Sequence, residues 1–170
     1  IEHLHTLPDQ PDAIPYVTSY YKERWGFCIS HNEFLGLSKE GEYTVVVDSE
    51  LSNGHLTYGE LVLPGDTNEE IFFSTYICHP SMANNELSGP LALAFLYQKI
   101  ASLPKRKYTY RFAFIPETIG AICYLNENGE KMKANTHAGF VLTCCGNNDI
   151  FHYKRSRRGN SITDKVVEHF

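Results

Sequence analysis

His79 and Glu117 are the residues whose type and placement in this 170-residue chain best suit chemistry. His79 follows an apolar run at the end of an expected strand, with a polar loop of small residues behind it. An imidazole there is a natural ligand for a divalent metal; the plain alternative is a histidine held by one hydrogen bond. Glu117 follows a second apolar strand and opens a helix, where the helix dipole by itself favours a carboxylate. Its functional alternative is a general base that takes a proton from a metal-activated water. Between them runs Ala83-Asn84-Asn85-Glu86-Leu87-Ser88-Gly89-Pro90. That run suits a capped helix start, yet two adjacent Asn are a denser polar stretch than a cap requires. Ser88-Gly89 reads as the place where a helix approaches a sheet closely.

Nucleophilic chemistry is less well served. Cys78 and His79 are neighbours on the expected strand, so their side chains should point to opposite faces and not pair. Cys144 and Cys145 have no nearby His. No G-x-S-x-G elbow occurs. Gly120 and Gly146 are isolated, so no glycine-rich phosphate loop occurs either.

The elements that must position these groups follow from periodicity. Residues 1–42 read as irregular, punctuated by Pro8, Pro11 and Pro15. Tyr43–Val47 is β-branched and predicts a strand, Ser52-Asn53-Gly54 a turn, and His55–Leu63 its hairpin partner. Leu63-Pro64-Gly65-Asp66 marks a boundary. Beyond it, Glu70–Ile77 predicts a strand and Leu87–Leu103 a helix with Leu93, Leu96, Ile100 and Leu103 on one face. Lys107–Ile115 predicts a strand, 117–126 a helix, Ala138–Thr143 a third strand and Asn160–Phe170 a helix capped by Asn160 or Ser161. This β-α-β-α-β-α order predicts an α/β fold, a mostly parallel sheet flanked by helices. Right-handed crossovers then bring the loops after all three strands to one edge, where such sheets bind ligands.

Composition bounds the remaining choices. Hydrophobic residues make up 42% and charged ones 21%, which supports a packed core rather than disorder. Fifteen Lys+Arg against 20 Asp+Glu leave a net charge of −5, so no general attraction to nucleic acid or an anionic membrane is expected. The short basic cluster Lys154–Arg158 reads as a solvated loop or an anion contact. No apolar run approaches a membrane span, and no signal peptide opens the chain. Five cysteines without a C-x-x-C pair argue against a disulfide framework and for a reducing, cytoplasmic setting. The start at Ile1 and the break at Phe170 inside a helical pattern point to a processed chain or an excerpt. An unfinished sheet would expose an edge, so association of copies is expected.

The run Ser74 to Gly89 (STYICHPSMANNELSG), the run Phe114 to Gly120 (FIPETIG), and His5-Thr6-Leu7-Pro8 through Trp25-Gly26-Phe27-Cys28 carry a resemblance. They resemble the bacterial aminopeptidase-like proteins of polysaccharide-biosynthesis gene clusters, distant relatives of the co-catalytic zinc aminopeptidases. The resemblance implies a zinc-aminopeptidase-like core with an inserted β-rich subdomain. Residues 1–64 would be the C-terminal part of that insert and 65–170 part of the core. It places His79 at the first metal-ligand histidine and Glu117 at the general base. Asn84 falls where those enzymes carry the aspartate that bridges two metals, and Asn85 follows it. Thr118 stands where they have a second, metal-binding glutamate, and Thr143 or Cys144 near their next ligand aspartate. Their last ligand histidine would lie beyond Phe170.

Neutral Asn and Thr remove negative charge that would offset a pair of dications. One zinc is therefore expected rather than two, held by His79 and Asn84 with an acid such as Glu117 or Asp149. If Glu117 is a ligand, it is not free to act as the base. The expected function is a zinc-dependent hydrolase of an amide bond in a peptide or amino-sugar conjugate, this segment alone being inactive. The alternative is a non-catalytic domain that binds a glycan intermediate or a protein partner. The resemblance also predicts an unusual, cis peptide at Asn84–Asn85.

Overall fold

The structure is a computed structural model that describes residues 2–17, 22–50, 52–79, 82–147 and 151–170. The chain divides into two compact units, Ile1–Ser52 and Asn53–Phe170. In the first, β1 (Leu4–His5) pairs in parallel with β2 (Phe27–Cys28), and α1 (His31–Gly36) follows. A capping box holds the start of α1. Ser30 Oγ accepts from Glu33 N–H, and the Glu33 carboxylate accepts from Ser30 N–H. The described residues of this unit carry no other strand, so it is not β-rich.

The second unit carries the sheet. Its elements are β3 (Gly59–Leu63), β4 (Glu70–Tyr76), α2 (Ser88–Ala101), β5 (Thr109–Ile115), α3 (Ile119–Asn135), β6 (Thr136–Leu142) and α4 (Ile162–His169). The strand order is β3-β5-β4-β6, with β5 and β6 both parallel to β4 and β3 antiparallel to β5. The expected α/β, mostly parallel architecture is therefore the observed one. The order in which strands are added reverses at β4, because α2 leads to β5 on one side while α3 crosses back to β6 on the other. The crevice outside the carboxyl end of β4 is a topological switch point.

Alternation along the strands builds two cores. Toward α2, Phe112 packs with Leu93 and Ile100, and Phe73 stacks between Phe112 and Phe140 at 5.5 and 5.4 Å. Toward α3, Ala113 and Ile115 pack against Tyr124, with Phe72 and Met132 beside them. Burial on both faces is what a parallel sheet between helix layers requires. The free edge of β6 is closed locally by α4, where the Thr163 hydroxyl accepts from Gly139 N–H and donates to Gly139 C=O.

Three elements depart from the sequence expectation. Residues 41–50 form no strand, and Val46 is 77% exposed. β-Branched residues favour strands only where a neighbouring strand and a covered face await them. The predicted hairpin partner survives only as β3, which pairs with β5 through Leu61↔Phe112. The unit boundary therefore falls after Ser52 rather than after Pro64, because β3 belongs to the main sheet. Finally, α3 runs on to Asn135 through Gly129. A mid-helix glycine costs about 1 kcal/mol, which packing of Met132 on the α3-side core offsets.

Gly89 tests how closely α2 must approach the sheet. A Cβ at this position would overlap the Thr75 hydroxyl and the Leu142 carbonyl oxygen. Thr75 is fully buried, and its hydroxyl donates to that same carbonyl at 2.9 Å. Gly89→Ala is expected to cost about 3 kcal/mol, at the upper end of overpacking, as read from urea unfolding. A loss below about 1 kcal/mol would mean that the helix can slide away freely.

Candidate metal centre

The site grows from the end of β4. The ladder continues one step past the strand, with Ile77 N–H donating to Ile115 C=O at 3.2 Å, and then stops. Cys78 N–H donates instead to Glu86 Oε2 at 2.7 Å. A side chain thus replaces the next strand partner, and the chain turns away. Glu86 is carried back to the strand end by a π-helical turn, Ala83–Leu87, which precedes α2. Such turns widen a helix by one residue and recur at functional sites.

The loop after β6 braces this turn. Asn84 Oδ1 accepts from Gly146 N–H at 2.8 Å, Asn85 C=O from the Thr143 hydroxyl at 3.2 Å, and Ser88 Oγ from Cys145 N–H at 2.8 Å. The Ser88 hydroxyl also donates to Asn84 C=O. The peptide joining Asn84 and Asn85 is trans, as no cis bond occurs among the described residues. The unusual peptide expected there is therefore not found, and the backbone forms the π-helical turn in its place. After β5, Thr118 has a φ of 57°, and after β6 Cys144 has 53°. Both lie in the left-handed region that costs non-glycine residues energy and clusters at functional sites.

Four side chains meet here. Their donor atoms, one each from Cys78, His79, Glu86 and Glu117, all lie within 4.8 Å of one another. His79 Nδ1 lies 3.0 Å from Glu86 Oε1, 3.2 Å from Cys78 Sγ and 4.0 Å from Glu117 Oε2. Glu117 N–H in turn donates to Cys78 Sγ at 3.1 Å. His79 and Glu117 therefore meet at the carboxyl edge of the sheet, as the loop argument predicts. The Cys78–His79 contact overturns the expectation that these neighbours face apart. Strand alternation ends at Tyr76, so it does not govern residues 78 and 79.

Glu86 is the residue that sequence reasoning passed over. It is 4% exposed and faces two donors. Burial pushes its carboxyl upward, but the hydrogen bonds from Cys78 N–H and His79 outweigh that and hold it below the usual carboxylate range. The Cys78 thiol is raised, first by burial and further by the two nearby carboxylates. Glu86 lies one position beyond the two Asn that draw attention in the sequence. Only the π-helical turn aims it at the strand end. Asn84 is turned to the β6 loop, where one lone pair of its side-chain oxygen is taken by Gly146. Asp149 lies outside the described residues.

The donor set fits a borderline-soft dication. A thiol, an imidazole and two carboxylates are the groups zinc takes, and two acids beside one imidazole leave negative charge for a cation to offset.

An α/β sheet with this cluster at its switch point is the frame of a peptidase-like domain, and comparison with known proteins agrees. Residues 6–170 match the family described as a domain of unknown function (DUF4910), and the chain belongs to that family. Over 166 residues it is 49% identical to a Clostridium acetobutylicum protein provisionally named a polysaccharide biosynthesis protein with an aminopeptidase-like domain. A crystal structure of a protein from the same organism, provisionally called a peptidase, matches with a TM-score of 0.83 at 48% identity. Each match covers 98% of this chain. The chain spans 38% of the length of the first relative and 39% of the second. No helix among the described residues is long and apolar enough to cross a membrane.

Proposed function

We propose that this domain holds one zinc ion at the His79 cluster and serves a hydrolase that cleaves an amide bond in a peptide or amino-sugar conjugate. The observation that carries the reading is the meeting of His79 and Glu117, from the ends of two parallel strands, at 4.0 Å. The aminopeptidase-like name of the C. acetobutylicum relative supports it. When bound, zinc supplies Lewis-acid polarisation of the scissile carbonyl and lowers the pKa of water. Glu86 Oε1 stands 3.0 Å from His79 Nδ1, a carboxylate donor beside the imidazole that the ion would take. Glu117, with its side chain 42% exposed, is placed to take a proton from the attacking water and return it to the departing amine. Asn84 retains one lone pair to offer beyond its bond to Gly146.

A non-catalytic binding role is the second reading. It is favoured by Thr118, a neutral residue where the related enzymes carry a carboxylate ligand, and by the engagement of Asn84. Elemental analysis of the full chain beside His79→Ala decides between them. About one zinc per chain, lost in the variant, is expected. A folded protein without metal in either form would overturn the hydrolase reading and turn the search to glycan and partner binding.

A further inference from the structure

We infer that Cys78 is a direct thiolate ligand of that ion, forming with His79 and Glu86 a three-donor face that leaves Glu117 free. The inference rests on the metal-centre reading above and specifies its ligands. Three distances define the face: Cys78 Sγ to His79 Nδ1 is 3.2 Å, His79 Nδ1 to Glu86 Oε1 is 3.0 Å, and Cys78 Sγ to Glu86 Oε1 is 3.9 Å. Donors about 2.0–2.3 Å from a tetrahedral zinc stand roughly 3.3–3.8 Å apart, so each side of the triangle needs to change by only about a few tenths of an ångström to seat one ion. Glu117 Oε2 lies further from His79 Nδ1, at 4.0 Å, and its side chain is the most exposed of the four.

The surroundings of the sulfur support the same assignment. Glu117 N–H donates to Sγ at 3.1 Å, and N–H···S hydrogen bonds are a standard means of tuning metal-bound thiolates. The sulfur also sits between two carboxylates, so a thiolate there needs a dication to offset it. On binding, the sulfur–metal bond forms and the thiol proton leaves to solvent, while the proton on His79 Nδ1 moves to Nε2 so that the Nδ1 lone pair takes the ion. A thiolate makes the site softer than the all-oxygen and nitrogen sets, favouring zinc over magnesium, calcium or manganese. Three protein ligands with a fourth position open is the arrangement of a catalytic rather than a structural zinc. It also resolves whether Glu117 is base or ligand, because the cluster no longer needs it to hold the ion.

Cobalt(II) titration of the chelator-stripped full chain tests this by spectrum rather than by activity. The wild type should develop a thiolate-to-cobalt charge-transfer band that saturates near one cobalt per chain. Cys78→Ser should lose the band and bind zinc more than about 100-fold more weakly, beyond the loss typical of outer-shell changes. Cys144→Ser and Cys145→Ser should keep both. Alkylation of wild-type protein gives a readout independent of any variant's folding: zinc should shield Cys78, followed by peptide mass spectrometry. Cobalt uptake that depends on His79 but gives no thiolate band, or Cys78 alkylated equally with and without zinc, overturns the inference while the metal centre stands. A folded wild type that takes up no cobalt overturns both.

Discussion

Glu117→Gln is expected to lower turnover of an amide substrate by about 10²–10⁴-fold while leaving zinc content unchanged. The substitution keeps size and hydrogen-bonding reach but removes the ability to accept a proton. The position of Glu117 argues for so large an effect. Its backbone N–H is anchored on Cys78 Sγ, and Thr118 behind it is held at a φ of 57°. The carboxylate is therefore carried on a backbone fixed at both sides, yet its side chain reaches solvent. A general base needs that combination, since it must meet water and still be aimed. The assay takes unblocked aminoacyl and amino-sugar amides as substrates, with metal analysis of the same samples. A variant that loses its zinc would make Glu117 a ligand, and one that keeps full turnover would remove it from the chemistry.

Arg111→Ala is expected to destabilise the domain by about 3–5 kcal/mol. Arg111 is 4% exposed and grips Glu70, itself 5% exposed, through two hydrogen bonds of 2.7 Å each. A third, also 2.7 Å, reaches Glu60 on β3, whose other oxygen accepts from the Tyr124 hydroxyl of α3. One guanidinium therefore ties β3, β4 and β5 together, with α3 joined through Glu60. Removing it leaves the buried Glu70 carboxylate without its partner, and that desolvation dominates the cost. The pH dependence supplies an independent check. The hydrogen bonds from Arg111 hold Glu70 below the usual carboxylate range. Its contribution is thus complete above the unfolded value of about 4.3 and is lost as pH falls through the folded one. In Arg111→Ala the unpaired carboxyl should titrate above the unfolded value, so acid should cost the variant less than the wild type. Urea unfolding across the acid range measures both. A loss under about 1 kcal/mol would show the network to be solvated.

Much of this was legible in the residues themselves. The strand 109–115 announces its two faces by alternation, with Tyr110, Phe112 and Phe114 toward one helix layer and Arg111, Ala113 and Ile115 toward the other. The loops after β4 and β5 had to share one edge because parallel crossovers leave no other choice, and so His79 could be expected near Glu117. Gly89 before an apolar helix signalled a close approach, and the overlap a methyl group would meet there bears that out.

What the residues could not reveal depends on contacts between distant segments. Val45 and Val46 look like strand residues, but no neighbouring strand receives them, and local propensity cannot report a missing partner. The helix expected to stop at 126 runs on through Gly129 because Met132 has a core to reach. Cys78 and Glu86 are the telling cases. Alternation assigns Cys78 away from His79 only while the strand lasts, and the strand ends when the Glu86 carboxylate takes the Cys78 N–H in place of a strand carbonyl. That hydrogen bond exists because a π-helical turn, braced by the β6 loop, rotates Glu86 inward. The sequence by itself determined the sheet, its helices and the edge at which chemistry would gather. Which donors face one another there was decided by the tertiary structure, because the aim of a side chain beyond a strand end is set by what the neighbouring loops hold in place.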